Sequence, residues 1–452
     1  MVLIGIIVSI IIFSIIILAH EFGHFKTARI FGVKVEEFGL GIPPKVREIF
    51  IDKHGTKYTL NWLPLGGFVR LKGENINTFN LYNKDKKIFD NYSLEKAIKE
   101  NSEIFDYNGN IILQEDKIKI LEKLKDNYAK DSLLTKSYWK QAIIILAGIF
   151  MNFLLAGIIF SVLFFIGVSP VGINDKIQID ADIKLIPTPV KASEIGLIKD
   201  NSGVYLLPIK DSIAKISGIK DYDLVLKVNN LEIKNYIELK NTISLNPNKK
   251  LNLEIKRSKN NCDISKTDKC NFENIILQII PNNEGKIGSY LIPNSQINKD
   301  FKYKYGFLDS IKYGFKETYG QIILTFKGLK LLAKNIFNPE TPKQRDEAIS
   351  QISGPIGMVD FMTKSIGNGI IFIIIFGAII SINLGVFNLL PIPALDGGRF
   401  LFILINGIIK KVFGKKAINE NIEGLIHILF FIFLIALSVI IAYNDVHKII
   451  TN

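Results

Sequence analysis

The sequence predicts a polytopic α-helical membrane protein of about four transmembrane helices, with one mixed α+β domain outside the bilayer. Three observations predict it. Apolar residues make up 48% of the 452, and they are gathered into long blocks rather than alternating with polar ones. Four blocks reach the roughly 20 residues that a hydrocarbon core of about 30 Å requires. The remainder is rich in Lys, Asn and Ile, as expected of aqueous segments between spans.

The blocks run Val2–Ala19, Gln141–Gly167, Ile370–Leu390 and Leu425–Ile441. The first has no charged n-region and no small-x-small cleavage site, and it runs directly into His20 and Glu21, so it reads as a retained span. The formal net charge is +13. The basic residues are mostly scattered lysines without Arg/aromatic interleaving, which argues against a nucleic-acid partner. Cys262 and Cys270 are spaced for a short disulfide loop or stand as unpaired thiols; with no histidine nearby, no zinc site is expected there.

Basic residues near the span ends set the orientation. Lys26, Arg29, Lys34, Lys45 and Arg47 follow the first span, and Lys136 and Lys140 precede the second. Arg399, Lys410, Lys411, Lys415 and Lys416 lie between the third and fourth. These are cytoplasmic loops by the positive-inside rule, so both termini and the 168–369 region face outward. Within the first loop, Val33–Leu71 reads as short strands and turns, and Asn75–Lys130 as a charged, partly helical insertion. Outside, residues 200–290 read as strands and short helices: Gly203-Val-Tyr-Leu-Leu, a helix closed by Gly218, a strand into the Asn229-Asn230 turn, a helix at Tyr236–Ser244, and an alternating strand at Lys250–Arg257.

The chemistry is concentrated in His20-Glu21-Phe22-Gly23-His24. Positions i and i+4 share a helix face, so two imidazoles can grip one Zn²⁺ with Glu21 beside the water to be activated. The bland reading is a pair of histidines ending a helix near headgroups, but two His and a Glu in a membrane helix are costly without function. A catalytic zinc takes three protein ligands. His54 lies in a polar turn, His427 within the fourth span and His447 in the tail. Asp396 is the better candidate, in Asn388-Leu-Leu-Pro391-Ile-Pro393-Ala-Leu-Asp396-Gly397-Gly398. There a membrane helix is broken by two prolines, which is tolerated where the chain lines a cavity. The bland alternative is a Pro-Gly exit turn with a solvated Asp. Topology brings both motifs to one side and one depth.

With these motifs in order along most of its length, the chain resembles the site-2 proteases, specifically the bacterial regulator-of-sigma-E protease type. The resemblance covers the His20–His24 motif, Phe38-Gly-Leu-Gly41, Leu63-Pro-Leu-Gly-Gly67, Ala147-Gly148 with Asn152, Ser353-Gly-Pro-Ile356, Asn388 to Gly398, and Asn444-Asp445. It implies zinc held by His20, His24 and Asp396, with Glu21 as catalytic base. It also implies a membrane-reentrant β-loop at 26–74 and one extracytoplasmic PDZ-like α+β domain at 169–298. Substrate contacts are implied for Asn388, Pro391, Pro393, Gly39, Gly41, Gly66, Gly67 and Asn152. The remaining segments follow: a first span at 1–25, an insertion at 75–140, a second span at 141–168, an amphipathic or linker region at 299–369, a third span at 370–398, a loop at 399–423 and a fourth span at 424–443. Departures are Pro43-Pro44 where the family has Gly-Pro, Ile149 where it has Pro, one PDZ-like domain rather than two, and a long insertion.

The expected activity is intramembrane hydrolysis of single-pass membrane proteins, such as anti-sigma factors or remnant signal peptides, after an outer-side protease has shortened them. The expected location is the bacterial cytoplasmic membrane. A rival class is a non-catalytic PDZ-bearing scaffold or chaperone, for which an absent Glu21 or Asp396 would have been the cue. Another is a metal transporter, whose ionisable residues would recur across several spans.

Overall fold

The computed structural model of the chain describes residues 2–74, 81–83, 86–88, 98–99, 103–105, 111–127, 129–174, 177, 183–209, 211–258, 272–298, 300–339, 341–413 and 420–451. Cys262 and Cys270 lie outside the described residues, as does much of the 75–130 insertion. The chain forms two compact units, one of residues 1–168, 177–183 and 304–452, the other of 169–176 and 184–303.

In the first unit, helix α1 (Val2–Ile30) continues past the apolar block through both histidines before ending. Strands β1 (Val35–Ile51) and β2 (Lys57–Leu71) pair antiparallel in a long irregular hairpin. Its base packs Val35 and Leu71 against Phe25, Ala28 and Ile144. Its far end leaves Ile42, Val46, Trp62 and Leu63 exposed. A small hairpin, β3 (Leu81–Asn83) with β4 (Lys86–Ile88), and helix α2 (Gln114–Asn127) fall in the insertion. Helix α3 (Tyr138–Ile166) follows.

The second unit contains α4 (Pro189–Glu194), β5 (Ile198–Pro208), α5 (Ile213–Ile216), β6 (Asp223–Val228), β7 (Leu231–Glu232), α6 (Tyr236–Ser244), β8 (Leu251–Ser258), β9 (Phe272–Ile279) and β10 (Ser289–Ile297). The sheet order is β10-β5-β6-β8-β9, with β7 paired to β6. The Asn229-Asn230 turn has positive φ at both residues, 47° and 67°, the conformation that a two-residue hairpin demands and that Asn tolerates. Val204, Leu206, Val225, Leu239, Leu253 and Ile255 build the core. Within it, the carboxylate of buried Asp223 is gripped by Arg257 through Nε at 2.8 Å and Nη2 at 2.6 Å.

The first unit resumes with α7 (Phe307–Phe337), α8 (Pro342–Ser350), α9 (Pro355–Ser365), α10 (Ile370–Leu389), α11 (Asp396–Phe413) and α12 (Glu420–Thr451). Helix α7 buries a strip of small and polar residues, Ser310, Gly314, Glu317, Thr318 and Gln321, while its exposed face mixes Phe307, Leu308, Phe315 and Tyr319 with the charged Asp309, Lys312 and Lys316. Gly314 lies directly against Ser161 of α3. Small residues between helices let them approach closely. The 399–423 stretch, expected as a loop, begins with α11. Among the described residues, four helices are long and apolar enough to cross a membrane: Leu3–Ile30, Tyr138–Ile166, Ile370–Leu389 and Ile422–Lys448.

Candidate metal centre

Because α1 stays helical beyond its apolar block, His20 and His24 stand one turn apart on one face, both only 6% exposed. Their Nε2 atoms are 3.1 Å apart. Helix α3 comes close enough to touch them because two glycines meet there. A Cβ on Gly23 would lie 2.4 Å from the Ala147 carbonyl oxygen, and one on Gly148 would lie 2.3 Å from His24 Nε2 and 2.8 Å from His20 Nε2. Such close approach is what small residues provide at helix interfaces.

That approach also sets the tautomers. His24 Nδ1 lies 2.8 Å from the Ile144 carbonyl oxygen and must donate to it, which leaves the Nε2 lone pair free. His20 Nδ1 lies 3.2 Å from Asn152 Nδ2, and Asn152 Oδ1 is buried without a partner. The oxygen and nitrogen of an amide exchange places by a half-turn. With that half-turn Oδ1 accepts from His20 Nδ1–H, and His20 Nε2 is bare as well.

Asp396 arrives from the opposite end of the sequence. Helix α10 stops at Leu389 because Pro391 and Pro393 cannot supply helix donors. The chain then turns tightly onto the start of α11. A Cβ on Gly397 would lie 2.2 Å from the Leu390 carbonyl oxygen, and one on Gly398 2.3 Å from that of Ile392, so only glycines fit behind Asp396. The Arg399 guanidinium pairs with Glu74, just past β2. Asp396 Oδ2 ends 2.9 Å from His20 Nε2 and 3.3 Å from His24 Nε2.

These three donor atoms suit one metal ion. Ligands at Zn–N or Zn–O distances of about 2.0–2.1 Å in a tetrahedron stand about 3.3 Å apart, close to the separations of 2.9, 3.1 and 3.3 Å here. Asp396 Oδ2 is moreover buried without a well-formed hydrogen bond, and a buried carboxylate oxygen needs a partner. Two bare imidazole nitrogens and a carboxylate oxygen are a zinc donor set.

Glu21 lies on α1 between the two histidines, and its Oε2 accepts from Val69 N of β2 at 3.0 Å. Gly66 N donates to Ser14 Oγ at 3.3 Å, and a Cβ on Gly67 would strike Leu18 at 2.7 Å, so β2 runs along α1. Gly39 and Gly41 face β2 across the hairpin, with Gly39 opposite Phe68 and Gly41 at φ 82°. Asn388 is partly exposed in the last turn of α10, and Pro391 and Pro393 form the turn itself. Asn152, grouped by the sequence with substrate contacts, is fully buried against His20. The sequence names Gly148 only within the family pattern and His427 only as a residue of the fourth span; their contacts at the site, and the Arg399–Glu74 pair, it does not foresee. A polar residue in an apolar block was the available signal for His427.

A helix bearing His-Glu-x-x-His, buried among apolar helices and completed by a distant Asp, defines a membrane-embedded zinc metalloprotease. The chain belongs to peptidase family M50, whose sequence model matches residues 8–437. It is 27% identical to zinc metalloprotease RasP of Geobacillus kaustophilus over 98% of both chains. It is 26% identical to the regulator of sigma-W protease RasP of Bacillus subtilis, again over 98% of both. The probable protease eep of Enterococcus faecalis is 26% identical over 98% of this chain and 99% of its own. The chain is thus a zinc metalloprotease of the site-2 protease family and a membrane protein, and its cofactor is Zn²⁺.

Proposed function

We propose that His20, His24 and Asp396 hold the zinc and that Glu21 is the general base in cleavage of single-pass membrane proteins within or near their transmembrane segments. The observation that carries this is the convergence of the three donor atoms, all within 4.8 Å of one another. When bound, zinc supplies Lewis acidity for hydrolysis of an amide. The chain's own residues do the rest. Ile144 and Asn152 orient the imidazoles. Glu21, held at Val69 N, is positioned to take a proton from the attacking water and return it to the leaving amine. Asn388, Pro391 and Pro393 border the same turn and contact the substrate backbone.

A transmembrane helix hides its peptide bonds, so the substrate must unwind first. The hairpin is a reentrant β-loop that holds it extended by strand addition, with Gly39, Gly41, Gly66 and Gly67 letting its strands lie close to one another and to α1 beside the substrate. Two features support this: β2 lies against Ser14 and Leu18, in mid-span of α1, and the far end of the hairpin exposes Ile42, Val46, Trp62 and Leu63.

Basic loops support a cytoplasmic zinc site with outward termini, in the cytoplasmic membrane of a bacterium. The 184–303 unit, read as PDZ-like, filters substrates on the outer side. An anti-sigma factor shortened by an outer protease suits this route, in line with the sigma-W regulator in the name of the Bacillus subtilis relative. A remnant signal peptide suits it equally in length. The lipid bilayer is the medium of the reaction, and no nucleic acid takes part. The test is cleavage of a single-pass reporter by the wild type and Glu21→Gln side by side. Wild-type cutting within the span and a silent Glu21→Gln are expected; equal cutting by both would overturn the role of Glu21.

A further inference from the structure

His427 belongs to neither motif, and it sits on α12, whose most apolar window has none of its residues buried. A histidine there is costly unless it does something. Its Nδ1 accepts from Ala394 N at 2.7 Å, and its ring lies 5.4 Å from that of Phe402. The accepting Nδ1 leaves the proton on Nε2, which is buried without a partner. An unpaired buried N–H is unfavourable, so the ring is placed by what Nδ1 does.

The backbone of the turn shows what that is. Pro391 and Pro393 have no N–H. Ile392 N donates to Leu390 O at 2.7 Å and Leu395 N to Ile392 O at 3.1 Å, both within the turn. Among the described donors of 391–395, Ala394 N is the one that bonds to a segment distant in sequence. Ala394 also holds a φ of 78°, a left-handed conformation that a non-glycine residue adopts only when its surroundings enforce it. Two residues on is Asp396.

We propose that His427 is a positioning residue for Asp396: by taking the Ala394 N–H it fixes the 391–395 turn so that the carboxylate faces His20 and His24. The inference rests on Asp396 being a zinc ligand. It makes the fourth span part of the metal site without contributing a ligand, because the loop runs from α10 to α11 and this bond ties it two residues before Asp396.

The experiment uses the full-length protein in detergent or nanodiscs, with His427→Phe and His427→Asn. Phenylalanine keeps a ring against Phe402 but has no acceptor, while Asn places Oδ1 near the position of Nδ1. Two readouts are taken: amide hydrogen exchange at Ala394 in zinc-free protein, and zinc affinity by chelator competition. His427→Phe should speed exchange at Ala394 and weaken zinc about 10-fold or more, the scale seen when support behind a metal ligand is lost. His427→Asn should restore most of both. Wild-type zinc affinity in His427→Phe, or equal impairment in His427→Asn, would overturn the proposal. So would fast Ala394 exchange in the wild type, which needs no variant to fold. Faster Ala394 exchange with unchanged zinc affinity, together with full zinc content in Asp396→Ala, would place the fault in the metal reading instead.

Discussion

Asp445 of α12 caps a helix far from it in sequence: its Oδ2 accepts from Gly354 N at 2.9 Å and from Gly357 N at 2.8 Å, at the start of α9. A carboxylate is favoured at a helix N-terminus, where free N–H groups and the helix dipole meet it. Both partners are glycines because a Cβ at either would come within 3.0 Å of the carboxylate. Lys448 adds a second tie, donating to Ser350 O at 2.8 Å. The last helix is therefore fastened by polar contacts near both its ends, at His427 and at Asp445.

Asp445→Ala should destabilise this attachment by about 3–6 kcal/mol, since hydrogen bonds to a charged group contribute about 1.5–3 kcal/mol each and two are lost. Thermal unfolding in detergent and protease access near residue 354 measure it. An unchanged melting temperature and cleavage pattern would show that the cap does not hold α9.

Metal content gives a second prediction. The wild type should carry close to one zinc per chain, and His20→Ala, His24→Ala and Asp396→Ala should each lose most of it, because three ligands barely fill a catalytic zinc site. Elemental analysis of purified protein decides; full zinc in Asp396→Ala would remove that residue from the ligand set.

Gly148→Ala should abolish zinc binding without altering a single polar group. The added methyl would lie 2.3 Å from His24 Nε2, far inside van der Waals contact, so α3 or the imidazoles must move. A misplacement of about 1 Å is enough to cost on the order of 100-fold in rate. Zinc content and cleavage rate near wild type would mean that the helices yield more easily than their packing indicates.

The Asp52 carboxylate, at the end of β1, offers a pH-dependent prediction. Burial alone would raise its pKa, but the Arg29 guanidinium and the backbone N–H groups of Thr56 and His54 outweigh that and hold it at about 2. Since the folded value lies below the usual carboxylate value of about 3.9, its contribution is complete above that pH and lost as pH falls towards 2. Protease nicking of the 52–56 turn should therefore rise in that window, and Asp52→Asn should show the nicking already at neutral pH. A flat pH response in the wild type would remove Asp52 from the account.

The 184–303 unit gives the last prediction. Replacing residues 184–303 with a flexible linker should leave turnover of a pre-shortened substrate nearly intact. It should also admit substrates that retain a bulky outer domain, because a cost against the wrong substrate has been removed. If neither length is cut, in protein that still inserts and holds zinc, the unit delivers substrate instead of filtering it.

What the sequence determined by itself was whatever a local pattern can encode. Long apolar runs specify spans because bilayer thickness sets a length. His20 and His24 are legible because a helix puts i and i+4 on one face, and the Asn229-Asn230 turn because two positive φ values suit few residues. Tertiary structure decided the rest, since the deciding partners are far apart in the chain. Nothing local in Ala147-Gly148 says that its missing side chain makes room for two imidazoles 124 and 128 residues earlier. The strip that α7 buries is small and polar, which its sequence does not announce, because periodicity gives a stripe and not which side packs against the neighbouring helices. His427 looks like a stray polar residue in an apolar run, and Asp445 stands only as part of the family pattern, until folding brings backbone N–H groups to them. Those N–H groups are free only because prolines and helix starts leave them without partners of their own, a property of chain geometry that appears once the segments meet.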